Sequence, residues 1–244
     1  MKISIITSVL NNKNQLRNCL DSIREQTYKD VEHIVIDGGS NDGTLDVLKQ
    51  YGCRFISERD EGIYYGLNKG MYLAAGDVVG ILHSDDVFAD KFILEKVAEA
   101  FESKKTDSVY GNLVYVSRSN KNKIIRYWKS TNYQEDLFRK GWMPAHPTFF
   151  AKREIYEKFG VFDTSFRISA DYELMIRFLY LNKVSSYFLD RVLVKMSLGG
   201  NSNKNLKNLL NKNFEDYMIC KKYGFGIMTL INKNFSKLGQ FIIR

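Results

Sequence analysis

Cysteine is scarce and unpatterned in this chain of 244 residues: Cys19, Cys53 and Cys220 are odd in number, widely spaced and in no CxxC pair. Neither a disulfide framework nor a zinc site is signalled, and a reducing compartment is expected. Long apolar runs are also missing; none approaches the roughly 18 residues that a membrane-spanning helix needs. The opening MKISIITSVLNN has one lysine and a short apolar run that breaks at paired asparagines, with no small-residue cleavage site, so no signal peptide is expected. A nucleic-acid-binding motif is lacking as well. The net charge is +8, yet the lysines are scattered among asparagines, so nucleic acid is not an expected partner.

What is present is enough apolar sequence for a real core: 44% hydrophobic and 26% charged residues, ordinary for a soluble globular protein. Ile3, Ile5, Ile6 and Val9 read as a buried first strand. Leu16, Cys19, Leu20 and Ile23 then fall at i, i+3, i+4 and i+7, the stripe of a helix packed on one face. EHIVID (32–37) reads as a second strand and GGSNDGT (38–44) as a turn. LDVLKQY continues as a helix, CRFIS (53–57) as a third strand, 64–75 as a helix and DVVGIL (77–82) as a fourth strand. Leu94, Val97, Ala98 and Phe101 mark another helix, and DSVYGNLVYV (107–116) another strand. This alternation predicts an α/β fold with a mostly parallel sheet and helices on both faces.

Such sheets bind ligands at the carboxyl ends of their strands. Polar residues sit at those ends: Thr7 and Asn11 after the first strand, Asp37 after the second, Glu58 and Arg59 after the third, Asp85 and Asp86 after the fourth. The last pair closes ILHSDD (81–86), where two adjacent carboxylates would repel one another in a crevice unless a cation neutralised them. Mg²⁺ or Mn²⁺ suits hard oxygen ligands, with substrate phosphates completing the shell. The alternative is a solvated turn, or a cap for the helix that begins near Asp90.

Several ordered motifs resemble the signature series of family 2 glycosyltransferases, which have the GT-A fold, a Rossmann-like α/β arrangement. They are Thr7 through Asn12, EHIVIDGGSNDGT (32–44), DEGIY (60–64) with Asn68-Lys69-Gly70, Ser84-Asp85-Asp86, HPTFF (146–150), GVFD (160–163), ISADYELMIRF (168–178) and SLGGNS (197–202). The resemblance covers roughly residues 1–202 and is nearest to bacterial enzymes of O-antigen, capsule or colanic-acid-type polysaccharide assembly. It implies a nucleotide-sugar donor, with Thr7 and Asp37 lining a uridine pocket and Asn11, Arg59 and Asn68 nearby. Asp85 would approach the ribose or metal, and Asp86 the divalent cation (Mn²⁺ or Mg²⁺) that bridges the diphosphate. It also implies an inverting reaction with one carboxylate as base. In SADYELMIRFL the stripe Tyr172, Met175, Ile176, Leu179 leaves Asp171 at the first turn of a helix, and the family assigns the base to that position. A helix-dipole or capping role is the alternative for Asp171.

Three departures stand out. The acidic pair usual before the base is Ala170-Asp171 here, the second acid that reads uracil in many relatives is Gly38, and the metal motif begins with His83 instead of an acid. His83 could be a metal ligand or a phosphate contact but reads best as a packed strand-end residue, and His146 reads as a contact for the acceptor or the diphosphate, or equally as a hydrogen-bonded loop histidine. The chain divides into a glycosyltransferase domain (1–202; 1–116 for the nucleotide sugar, 117–202 for the acceptor) and a basic helical extension (203–244). RSNKNK (118–123) reads as a solvated hairpin tip. In the extension, Leu206, Leu209, Leu210, Phe214 and Tyr217 suggest one amphipathic helix, and Ile227, Leu230, Ile231, Phe235, Leu238 and Ile242 a second. These helices could lie on an anionic membrane surface, which suits a lipid-linked oligosaccharide acceptor and a cytoplasmic enzyme at the inner face of the membrane. Packing on the catalytic domain, or on a second subunit in a homodimer, is the alternative. Competing functions are a catalytically silent nucleotide-sugar-binding or scaffold protein, and a sugar nucleotidyltransferase. The latter should carry a glycine-rich basic loop after its first strand, and TSVLNNKN (7–14) is not one.

Overall fold

The computed structural model describes residues 1–198 and 206–239. The first strand, β1 (Ile3–Val9), is apolar enough to run through the centre of the sheet, and helix α1 (Lys13–Arg24) buries the expected stripe of Leu16, Cys19, Leu20 and Ile23. Then come β2 (Val31–Asp37), α2 (Thr44–Tyr51), β3 (Arg54–Ser57), α3 (Ile63–Leu73) and β4 (Val78–Ile81). These strands lie parallel in the order β3-β2-β1-β4. The chain winds from β1 toward β2 and β3 on one side and returns to place β4 on the other. The strand order therefore reverses at β1, where an open α/β sheet forms its ligand crevice.

Side chains of β1 alternate between two cores, as strand geometry requires. Ile6 joins Leu67 and Met71 of α3 on one face, while Ile3 and Ile5 join Cys19 and Ile23 of α1 on the other. Helix α4 (Ile93–Lys104) adds Leu94, Val97, Ala98 and Phe101 to that second core.

The remaining strands are β5 (Val87–Phe88), β6 (Ser108–Val116), β7 (Ile124–Trp128), β8 (Phe150–Lys152) and β9 (Ser186–Ser197). β8 inserts antiparallel between β4 and β6, β9 runs parallel to β6, and β5 and β7 join antiparallel. Among the described residues, strands from both sides of residue 116 thus share one nine-stranded sheet. Helix α5 (Arg153–Phe159) follows β8. Helix α6 (Ala170–Met175) runs into a single π-helical turn, Ile176–Leu181, and buries Tyr172, Met175, Ile176 and Leu179 as the periodicity predicts.

Helices α7 (Leu206–Lys222) and α8 (Ile227–Gly239) form a hairpin against this body. Ile219, Cys220 and Phe225 enter the core beside Tyr172 and Phe178. One face of the extension therefore packs on the catalytic body. Ile242, the side chains of Leu206 and Leu238, most of the run 197–202 and the boundary at 202 lie outside the described residues. No helix among the described residues is long and apolar enough to cross a membrane.

Close packing of α3 on β1 depends on Gly70, where an added Cβ would lie 2.4 Å from the Cγ2 of Ile6, a buried side chain with little rotamer freedom. Gly70→Ala should lower stability by about 1–3 kcal/mol despite the higher helix propensity of alanine, read as a lower denaturant midpoint at unchanged m-value.

Candidate active site

Four strand ends meet at the crevice. Asn11, just past β1, has a positive φ of 49° and turns the chain; its N–H donates to Ser40 Oγ at 2.8 Å and its Oδ1 accepts the Asn41 N–H at 2.9 Å. Asp37 is fully buried at the end of β2. Its Oδ2 accepts the N–H groups of Gly39 and Ser40 at 3.1 and 3.0 Å and the Ser57 hydroxyl at 2.7 Å, while Oδ1 has no protein partner. The carboxylate shapes the GGS turn and keeps one oxygen unused. Gly39 adopts φ 88° there and packs on the backbone of Arg59, whose own side chain is exposed.

Thr7 is fully buried, and its hydroxyl donates to the Leu82 carbonyl at 2.8 Å and lies 3.0 Å from His33 Nε2. Burial pushes the His33 imidazole down to about 4, so it is neutral at pH 7. Asn68 is likewise engaged: its amide donates to the Phe162 carbonyl at 2.8 Å and accepts the Phe162 N–H at 3.0 Å. Of the residues expected at the nucleotide, Asn11 and Asp85 line a cavity of about 1150 Å³. Thr7, Asp37 and Asn68 hold the surrounding backbone, and Arg59 stands at the surface.

The twin acids follow β4 in a tight turn, with the Asp86 N–H donating to the His83 carbonyl at 2.9 Å. Asp85 faces the cavity. Asp86 is buried beneath it, with Oδ1 accepting the Ser197 N–H at 3.1 Å and Oδ2 unpartnered. Burial, reinforced by the neighbouring Asp85, pushes the Asp86 carboxyl well above the usual carboxylate range. This strained pair fits a divalent cation: one orphaned buried oxygen and one cavity-facing carboxylate are hard donors. Among the described residues no group of three or more His, Cys, Asp or Glu could hold a metal, so other ligands of the ion would have to come from phosphate and water, the habit of Mg²⁺.

Lys121 belongs to the run read as a solvated hairpin tip. Its neighbours are exposed, but its half-buried amine donates to the Asp85 carbonyl at 2.8 Å and to Ser197 Oγ, which corrects that reading for this residue.

Asp171, in the first turn of α6, lines the same cavity. His146 Nδ1 lies 2.9 Å from its Oδ2, and the Tyr64 hydroxyl lies 3.2 Å from its Oδ1 and 2.8 Å from the Ile168 carbonyl. Burial works against the charge. His146, then Lys233 and Lys212, outweigh it and hold the carboxyl well below the usual range. His83 also lines the cavity, its ring 6.4 Å from that of His146. Burial, aided by His146, lowers the His83 imidazole to about 4, so it stays neutral at pH 7, and its Nδ1 has no protein partner.

The loop that leads into α6 is held from the extension. Glu215 of α7 accepts the N–H groups of Arg167, Ile168 and Ser169, each at 2.9 Å, which satisfies the backbone donors of the loop up to the N-cap residue of α6. Asp216 beside it sits between Lys212 at 2.5 Å and Lys233 at 2.7 Å. Sequence reasoning did not assign Tyr64, Lys121, Ser197 or Glu215. Adjacent acids in an otherwise basic helix were the only available signal for Glu215.

Residues 4–168 match the model of the family described as Glycosyl transferase family 2; the match stops short of Asp171. The PGL/p-HBAD biosynthesis glycosyltransferase of Mycobacterium bovis is 33% identical over 181 residues, 71% of this chain and 68% of that protein. An uncharacterized glycosyltransferase of Rickettsia typhi is 28% identical over 204 residues, 79% of this chain and 63% of that protein. The S. aureus TarS structure superposes with a TM-score of 0.64 at 16% identity, over 93% of this chain and 44% of that one. The mannosyltransferase PcManGT from Pyrobaculum calidifontis, in complex with GDP-Man and Mn²⁺, gives 0.64 at 16%, over 91% of this chain and 64% of that one. At those identities the structures speak for the fold alone, the GT-A type of α/β arrangement. The chain thus spans less than half of that TarS chain. The name of the M. bovis relative carries PGL/p-HBAD biosynthesis, where the sequence resemblance pointed to O-antigen, capsule or colanic-acid-type polysaccharide, and the R. typhi name carries no pathway.

A depressed carboxyl is ionised above its unfolded value of about 3.9, and the stability it contributes is lost only as pH falls through the lower folded value. Asp171 should therefore leave kcat/KM flat on the acid side down to about pH 5. His146→Gln removes its largest positive neighbour, so the acid limb should move upward; an unmoved limb would show that His146 does not set the charge of Asp171.

Proposed function

Because the chain belongs to glycosyl transferase family 2, we propose that it is an inverting transferase acting on a UDP-sugar. It would move a hexosyl or N-acetylhexosaminyl group to a hydroxyl of a lipid-linked glycan in bacterial surface polysaccharide synthesis, in the cytoplasm at the inner membrane face. The observation that carries this reading is the shared cavity, with Asp85 on one wall and Asp171 on another.

Asn11, which lines the cavity, would meet the nucleoside, with buried Asp37 holding the adjacent GGS turn against the Arg59 backbone and Thr7 holding the strand end at Leu82. Asn68 steadies the 162 segment behind it. Asp85 and Asp86 would hold a divalent cation, Mn²⁺ or Mg²⁺, which when bound offsets the charge growing on the departing diphosphate. Arg118 and Arg126, which also line the cavity, supply further positive charge for that group. Asp171 accepts the proton of the acceptor hydroxyl. As it leaves, the oxygen bonds to the anomeric carbon from the face opposite the donor phosphate, and the bond from that carbon to the phosphate oxygen breaks. His146 and Tyr64 keep the carboxylate aimed at the cavity.

Asp171→Asn should lower kcat by about 10²- to 10⁴-fold while donor binding persists. In a thermal-shift panel with Mn²⁺, UDP and UDP-sugars should stabilise the protein more than GDP, TDP or CDP. At a ligand concentration about a hundred times Kd the gain is about 2.7 kcal/mol. Asp86→Ala should abolish the metal-dependent part of that gain and the turnover. Donor binding without turnover by the unaltered chain would identify a silent nucleotide-sugar-binding protein instead.

A further inference from the structure

The α7–α8 hairpin is built inside out for a surface helix pair. On α7, the residues turned to the body are Glu215, Asp216, Ile219 and Cys220, while Leu210, Phe214, Tyr217 and Met218 recur at i, i+4, i+7 and i+8 on the opposite side. Among the described side chains of α8, the buried ones are the polar Thr229 and Lys233, and Ile227, Met228, Ile231 and Phe235 face solvent. The eight outward side chains are 40% to 65% exposed. A helix pair that serves only the fold would turn such residues inward, so this apolar surface marks a second interface.

The charge around it selects the occupant. Residues 203–244 carry eight lysines and arginines against two acids, six of the eight net positive charges of the chain. Both acids are committed inward, Glu215 to three backbone N–H groups and Asp216 to Lys212 and Lys233, while Lys222 pairs with Asp163 and Glu173 of the body. Lys221 stands exposed beside the stripe on α7. A segment of this net charge would repel a second copy of itself, whereas it complements an anionic bilayer into which the apolar stripes can sink.

We propose that the outer face of α7–α8 docks on an anionic lipid surface. The inner face of the same hairpin lines the cavity through Asn211, Lys212, Glu215 and Lys233, so docking would set the wall of the cavity against the bilayer. The inference extends the lipid-linked acceptor reading, but it rests on the helix surface alone. Vesicle binding can therefore fail while transfer to a soluble acceptor analogue persists, and the reverse.

The test is flotation of the full chain with phosphatidylcholine vesicles, with and without about one third phosphatidylglycerol. The unaltered chain should float with the anionic vesicles and not with the neutral ones, and raising NaCl from about 0.05 to 0.5 M should release much of it. The variant Leu210→Ser/Phe214→Ser/Ile231→Ser/Phe235→Ser should lose binding about tenfold or more. Lys221→Glu, a single exposed change that leaves the apolar stripes intact, should weaken binding to anionic vesicles alone. An unaltered chain that stays in solution at low salt would overturn the proposal, as would equal flotation of the fourfold variant. So would a dimer seen by light scattering that the fourfold variant dissolves while vesicles capture neither protein.

Discussion

Two aspartates at one site are pushed in opposite directions by their surroundings. Asp86, buried beside Asp85 and facing only a backbone N–H, is driven toward its neutral form. Asp171, half-buried on the cavity lining, is kept ionised by His146, Lys233 and Lys212. Divergent environments for like groups mark a division of labour. The first site is deficient in positive charge and suits a cation that brings phosphate with it. The second is already compensated, and its carboxylate can stand charged before an incoming hydroxyl. The pocket is lined by residues that follow strands, such as Asn11 and Asp85, and by residues of helices, such as Tyr64, Asp171 and Glu215.

The second aspartate depends on the last helices of the chain. Glu215 fixes the backbone that enters α6, and Lys212 and Lys233, which lower Asp171, are held by Asp216. An extension that reads as an appendage is therefore part of the wall that carries Asp171. Its inward polar network explains why its apolar residues face outward: the inner positions are taken by groups that hold Asp171 and the loop before it. Stability, the charge of Asp171 and the exposed apolar surface are three consequences of one arrangement.

Much of the fold was legible because its signals are local. Leu16, Cys19, Leu20 and Ile23 buried together as their spacing required, and the β-α alternation through β4 placed Asp37 and Asp85 at strand ends. What could not be read was pairing between distant segments. Nothing in FAK (150–152) signals that it lies antiparallel between β4 and β6. Asn68 looked like a ligand contact, but its amide is spent on Phe162, 94 residues away in sequence. Lys121 looked solvated because its partners, Asp85 and Ser197, are brought to it by two other strands. Residue type and motif gave the candidates. Only the folded backbone tells which of them keep a free atom for a ligand.

The most direct measurement is carboxyl ¹³C NMR of aspartate-labelled protein, titrated with acid before and after addition of Mg²⁺ and UDP. One aspartate, assigned to Asp86 by its loss in Asp86→Asn, should titrate above the usual carboxylate range in the free protein and become ionised with Mg²⁺ and UDP present. Another, assigned likewise to Asp171, should stay ionised to the lowest pH at which the fold persists. Ordinary titration of both, unchanged by Mg²⁺ and UDP, would contradict the division of roles on which the transferase reading stands.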